Sequence, residues 1–271
     1  ANDAMVKASA DINSLRRYAH VSHPYNSTLS THVLKTCISE QRSKAIKIVA
    51  PAGMGKSALA DWFATKAHES AYAETLWIDQ HPIVGATDGL GGSLDRFFST
   101  FGKSAQEITR RVSGRLALDP EHPICAQITE WFESFTDIGM TTVNRNRIVS
   151  MDDRHEAFVG LVNYLACRRP LVLIVDDAQW GFDTLRAVES YFDEPNLAPI
   201  IVVFTVRAPS ESVDKRALDS MNKLMTTLDG LHIRLGPLTD AAVTHWLSSA
   251  SGTGSISLDS LSKISEGNPL S

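Results

Sequence analysis

The stretch Ala45-Ile-Lys-Ile-Val-Ala50-Pro-Ala-Gly-Met-Gly-Lys-Ser57-Ala-Leu-Ala60 decides how the rest of the chain is read. Residues 45–50 form a nearly unbroken apolar run, the pattern of a strand covered on both faces. Gly53 and Gly55 free the backbone for a tight turn, and from Lys56 to about His68 small and apolar residues return at helical spacing. A strand that passes through a glycine turn into a helix is the opening of a strand–helix–strand unit, and repeated units of that kind build a parallel sheet.

Working outward, the same short apolar runs recur at Thr75–Asp79, Leu171–Asp176, Pro199–Thr205 and Leu231–Leu235. Leu171-Val-Leu-Ile-Val-Asp176 is the most strand-like of them, and its continuous apolarity predicts a central strand. Helices are expected over residues 4–19 and 29–41 ahead of the sheet, then at 93–101, 105–116, 123–136 and 153–167. Two more are expected at 239–250 and 256–266, linked through Gly252 and Gly254. Gly89-Leu-Gly-Gly92 has no strand directly before it and reads as a flexible loop. The fold class is therefore α/β. Leading helices occupy 1–43, a parallel-sheet core sandwiched by helices occupies 44–236, and a short helical subdomain occupies 237–271. The chain starts without methionine and stops at Gly-Asn-Pro-Leu-Ser after a helix-like segment, so it is expected to be a piece of a longer protein.

The chemistry sits at the ends of those strands. Between strand and helix, Ala50–Ser57 has the layout of a Walker A loop, which makes the core that of a P-loop NTPase. Pro51-Ala52-Gly53-Met54-Gly55, Lys56, Ser57 and Ala58 are the candidate phosphate cradle: Gly53 and Gly55 let the backbone turn its N–H groups inward around phosphate oxygens, and the helix N-terminus adds partial positive charge. Lys56 would bridge the terminal phosphates of ATP or ADP, and the Ser57 hydroxyl would ligate Mg2+. The first glycine usual in this loop is Ala50 here. A magnesium-bound triphosphate also needs a carboxylate at the end of a neighbouring strand, and Asp176-Asp177 ends the strongest apolar run. Asp176 would hold the metal through water; Asp177 would polarise the attacking water. At the end of the next strand, Phe204-Thr-Val-Arg207 offers Arg207 as a cation for the terminal phosphate, set against the plainer reading of a surface arginine. Trp180 reads as a packing residue. The one Asn-Lys pair, Asn222-Lys223, lacks the Asp that reads guanine, so adenine is expected.

Composition narrows the classes further. With 271 residues, 43% hydrophobic and 21% charged, the chain can bury a large core. A formal charge of -5 gives no global field for nucleic acid, so a nucleic-acid partner is not expected through this domain. Three scattered cysteines, Cys37, Cys125 and Cys167, make neither a disulfide framework nor a metal site and fit a reducing, cytoplasmic setting. No apolar run is long enough to span a bilayer, so no membrane partner is expected.

Taken together, APAGMGKSALA at 50–60, RRPLVLIVDDAQW at 168–180, VVFTVR at 202–207, LGPLTDAAVTHWL at 235–247 and EGNPL at 266–270 resemble the STAND class of AAA+-related signal-transduction ATPases. The resemblance runs from about Lys44 to the end. Gly267-Asn268-Pro269 looks like the Gly-x-Pro motif of that class, which implies that Pro269 contacts the nucleotide from the helical subdomain. It also implies a switch: ADP holds a resting form, and exchange for ATP promotes homo-oligomerisation, with sensor or effector domains flanking the module. Two departures stand out. No Gly-Arg-x-x-Glu-like segment precedes the loop, which leaves adenine recognition unassigned, and Gly181-Phe182-Asp183 follows Trp180 where relatives place an acidic residue two positions on, which leaves Asp183 without a role. The alternative reading is a DNA-associated AAA+ loader or remodeller.

Overall fold

The computed structural model describes residues 32–33, 35–71, 73–83, 88–136, 150–207 and 214–236. Its elements run β1 (Lys44–Ala50), α1 (Lys56–Ala71), β2 (Glu74–Asp79), α2 (Gly89–Phe98), α3 (Ala105–Leu116), α4 (Pro123–Thr136), α5 (Met151–Arg168), β3 (Leu171–Asp176), a single 3-10 turn (Ala178–Trp180), α6 (Phe182–Asp193), β4 (Ile200–Arg207), α7 (Lys215–Thr227) and β5 (Leu231–Arg234). The strands form one five-stranded sheet in the order β2-β3-β4-β1-β5, and every pairing is parallel. Parallel neighbours need long crossovers, and the helices supply them.

The alternation along β3 shows why its sequence is apolar throughout. Val172 and Ile174 point to one side, where they join Ile46, Ile48, Ile201 and Val203 in a core closed by Leu59 and Phe63 of α1. Leu171, Leu173 and Val175 point to the other side and pack with Val202, Phe204 and residues of α5, α6 and α7 such as Leu161, Leu185 and Leu224. A strand with both faces buried is apolar almost throughout, and β3 stays so until it ends at Asp176.

Two expectations are corrected here. Gly89-Leu-Gly-Gly92 is not a flexible loop; it forms the first turn of α2. Gly89 turns the chain into the helix with φ of 66°. The helical cost of glycine, about 1 kcal/mol each, is offset by burial of Leu94 and Phe98 further along the same helix. Helices α6 and α7 add to those expected; both are amphipathic and bury Leu185, Val188 and Tyr191 from one, Met221, Leu224 and Met225 from the other. Of the leading helices, residues 35–40 are helical as expected for 29–41, whereas 4–19 lies outside the described residues. So do 239–250, 256–266 and Gly267-Asn268-Pro269, and with them the expected helical subdomain. No helix among the described residues is long and apolar enough to cross a membrane.

Burial separates the three thiols. Cys37 is buried and its thiol is pushed up to about 11, while burial also raises that of Cys125; Cys167 is exposed. A thiolate reacts and a buried thiol does not. Titration of the native chain with a thiol-specific chromogenic reagent should therefore count a single fast-reacting cysteine, and unfolding in denaturant should release the other two.

Candidate functional site

The C-terminal ends of β1, β3 and β4 meet at one edge of the sheet, and the candidate residues lie there because of the register. Ala50, the last residue of β1, is aligned with Arg207, the last of β4. Asp79 of β2 is aligned with Asp176 of β3. β4 lies between the strand that feeds the glycine loop and the strand that carries the acidic pair. The loop 51–55 then turns from β1 into α1, with Gly53 and Gly55 at φ of 80° and 81°. Both values lie in the left-handed region that glycine adopts without steric cost. Ala50 itself belongs to the extended strand and is buried, so a glycine is not required at that position.

Lys56 and Ser57 open α1. The Lys56 side chain is buried back under the loop, and its Nζ donates to the Pro51 carbonyl at 3.0 Å. Burial holds the Lys56 ammonium below its ordinary range; the Asp177 carboxylate partly restores it, the Arg207 cation lowers it again, and Asp176 raises it. All three side chains are thus near enough to act on Lys56 electrostatically. The Ser57 hydroxyl lies 3.0 and 2.9 Å from the two carboxylate oxygens of Asp176. Thr205, fully buried on β4, donates its hydroxyl to the same Asp176 carboxylate and accepts the Asp177 N–H at 2.8 Å. Burial pushes the Asp176 carboxyl above the usual carboxylate range, the hydroxyls of Thr205 and Ser57 pull it back, and Asp177 and Asp79 push it up again. A cation set beside Asp176 would relieve that penalty.

These groups fit magnesium bound together with phosphates. No cluster of three or more His, Cys, Asp or Glu side chains able to hold a metal occurs among the described residues. Magnesium does not need such a cage: it takes one or two protein oxygens and completes its octahedron with water and phosphate oxygens. The Ser57 hydroxyl and the Asp176 carboxylate are the matching hard donors.

Asp177 occupies the left-handed region with φ of 50°, which aspartate tolerates better than most residues. Its carboxylate accepts from Gln179 Nε2 at 3.2 Å and faces Arg207 Nη2 at 3.8 Å. The Arg207 guanidinium lies over the Trp180 ring, 5.1 Å from its centroid. Its Nε is buried and has no hydrogen-bond partner among the described residues, an orphaned charged donor at this sheet edge.

A model of the AAA ATPase domain matches residues 27–203, more than half of the 271-residue chain. The chain belongs to the AAA ATPase domain family. A search of curated proteins finds no match. Among solved structures, this AAA ATPase domain is similar to domain III of the Thermotoga maritima replication initiation protein DnaA, at 12% identity and a TM-score of 0.46, covering 91% of this chain and 79% of that one. It is also similar to the Aeropyrum pernix Orc1 protein solved in complex with DNA, at 12% identity and a TM-score of 0.40 over 88% of this chain and 48% of that one. A third likeness is to a chain of the E. coli MS115-1 HORMA:CdnC:Trip13 complex, at 12% identity and a TM-score of 0.41 over 94% of this chain and 72% of that one.

Of the residues expected from the AAA ATPase sequence, Lys56, Ser57, Asp176, Asp177 and Arg207 converge, and Pro51–Ala58 form the loop and first helical turn beside them. Pro269 lies outside the described residues. Three residues of the site were not anticipated in the roles they take. Thr205 binds both members of the acidic pair, Gln179 bridges Asp177 to β4, and Trp180 stacks on Arg207 instead of packing alone. A hydroxyl in the otherwise apolar run of β4 was the available signal for Thr205.

Proposed function

We propose that this chain is an ATP-binding, slowly hydrolysing regulatory switch module of a larger signal-transduction protein. The observation that carries the nucleotide reading is the contact of Ser57, beside the glycine loop, with Asp176 at the end of β3. A hydroxyl and a carboxylate from separate elements, next to a buried lysine and an arginine with an unspent donor, suit a magnesium triphosphate. The Pro51–Ala58 backbone binds the phosphates, Lys56 bridges the terminal ones, and Ser57 and Asp176 hold Mg2+, which supplies charge neutralisation at the phosphates. Asp177 accepts a proton from the water that attacks the γ-phosphorus in line, the bond to the bridging oxygen breaks, and ADP and phosphate leave. Arg207 balances charge on the transferred group.

Slow turnover belongs to the same STAND-type reading, in which hydrolysis resets the switch. The ADP-bound resting form, an ATP-bound oligomer, a cytoplasmic setting, Pro269 as a nucleotide contact and flanking sensor or effector domains complete the STAND-type reading.

Nucleotide binding is tested by denaturing the purified protein, chromatographing the released ligand, and adding ATP or ADP with magnesium in a thermal melt. Ligand at about 100 times its dissociation constant should add about 2.7 kcal/mol, several degrees in Tm for a chain of this size. Absence of both released nucleotide and a shifted melt would sink the proposal. A DNA-associated loader or remodeller would use the same site, and it separates by rate: duplex or single-stranded DNA should leave ATP turnover of the switch unchanged and stimulate that of a remodeller.

A further inference from the structure

Gln179 is a polar side chain with no exposure at all, set in the 3-10 turn that follows the acidic pair. Both ends of its amide are used. Nε2 donates to Asp177 Oδ1 at 3.2 Å, and Oε1 accepts the backbone N–H of Arg207 at 3.1 Å. The β3–β4 pairing has ended by this point, at Val175 opposite Phe204, so the Gln179 amide continues the ladder where β3 backbone no longer can. The next residue, Trp180, lies under the Arg207 guanidinium. One turn therefore grips Arg207 by its main chain and its side chain while holding the Asp177 carboxylate.

Capping the last N–H of a strand needs only an acceptor, and a water or a backbone carbonyl would serve. The second bond, to a half-buried carboxylate on a left-handed residue, is what a cap does not require. We infer that Gln179 is a positioning residue for ATP hydrolysis, fixing the Asp177 carboxylate and the Arg207 cation relative to each other at the end of the sheet. The inference rests on the nucleotide reading given above. The amide acts through Asp177 and Arg207, which it holds, and a displacement of either by about 1 Å is enough to cost roughly 100-fold in rate.

The test compares Gln179→Met, which keeps volume and removes both hydrogen bonds, with Gln179→Asn, which keeps the amide but is one methylene too short to span both partners. Magnesium-ATP affinity by calorimetry, single-turnover hydrolysis and Tm are read on each. Affinity should stay within about 3-fold of the parent while the hydrolysis rate falls about 10- to 100-fold. In an Asp177→Asn background the same changes should add little, since both act through one carboxylate. A purely structural role would instead lower Tm and leave the rate per folded, ATP-bound molecule unchanged. A folded variant of either kind that turns over ATP at the parental rate overturns the inference. A parent chain that neither binds nor hydrolyses ATP overturns the nucleotide reading first, and the two failures are thereby distinct. If neither variant folds, solution NMR of the unaltered chain decides: the Gln179 side-chain amide protons should shift on addition of magnesium-ATP, and unmoved resonances overturn the inference.

Discussion

Lys56→Ala should weaken magnesium-ATP binding by about 10- to 100-fold in a calorimetric titration, with little effect on the fold. The magnitude is that of a hydrogen bond to a charged group, worth about 1.5–3 kcal/mol. Direction and selectivity follow from the environment. Lys56 is 7% exposed, and burial disfavours its charge. The ammonium donates to the Pro51 carbonyl. Phosphate oxygens would supply the partners that its remaining donors want. Removing the ammonium from the free chain therefore relieves a penalty, so the melting temperature without nucleotide should hold or rise, while the increment that nucleotide adds to it should shrink. A variant that binds ATP as the parent does would show that the loop is not a phosphate site. One that fails to fold would assign Lys56 a structural role.

The sequence made the fold class legible because its signals are local. A strand buried on both faces is apolar almost throughout, and residues 171–176 are so until Asp176. The loop is equally plain, since only glycine enters φ of 80° at Gly53 and 81° at Gly55 without cost. Local reading failed where packing overrides propensity. Gly89, Gly91 and Gly92 look like a loop, yet they begin α2 because the helix they lead into buries Leu94 and Phe98. The candidate site was half legible for a related reason. Lys56, Ser57, Asp176 and Asp177 stand in motifs, but the partners of the acidic pair come from another strand. Nothing in the linear pattern says that β4 lies beside β3, and without that order Thr205 reads as one more β-branched strand residue and Gln179 as part of a connecting turn. Arg207 could be placed at a strand end from sequence; its stacking on Trp180 and its approach to Asp177 could not.

Asp177→Asn should separate binding from turnover: ATP affinity near that of the parent, and single-turnover hydrolysis reduced by about 100- to 10,000-fold, the range that removal of a general base gives. The substitution suits the question because asparagine preserves what the structure asks of this position. Residue 177 must adopt φ of 50°, which asparagine tolerates at least as well as aspartate. Its N–H still reaches Thr205, and an amide oxygen still accepts from Gln179 Nε2. What disappears is the charge opposite Arg207, at 3.8 Å with the arginine side chain 41% exposed, a pair worth at most about 1 kcal/mol to stability. The fold should therefore survive, and so should the Ser57–Asp176 contact on which magnesium depends in this reading. A chain that binds ATP but does not consume it stays in the ATP-bound form. If that form is the signalling one, Asp177→Asn in the full-length protein should be oligomeric or constitutively active by size-exclusion chromatography and output assay, and Lys56→Ala should be silent. Hydrolysis at the parental rate would remove Asp177 from the base role, and the carboxylate aligned with Asp176 on β2, Asp79, would be the next to replace.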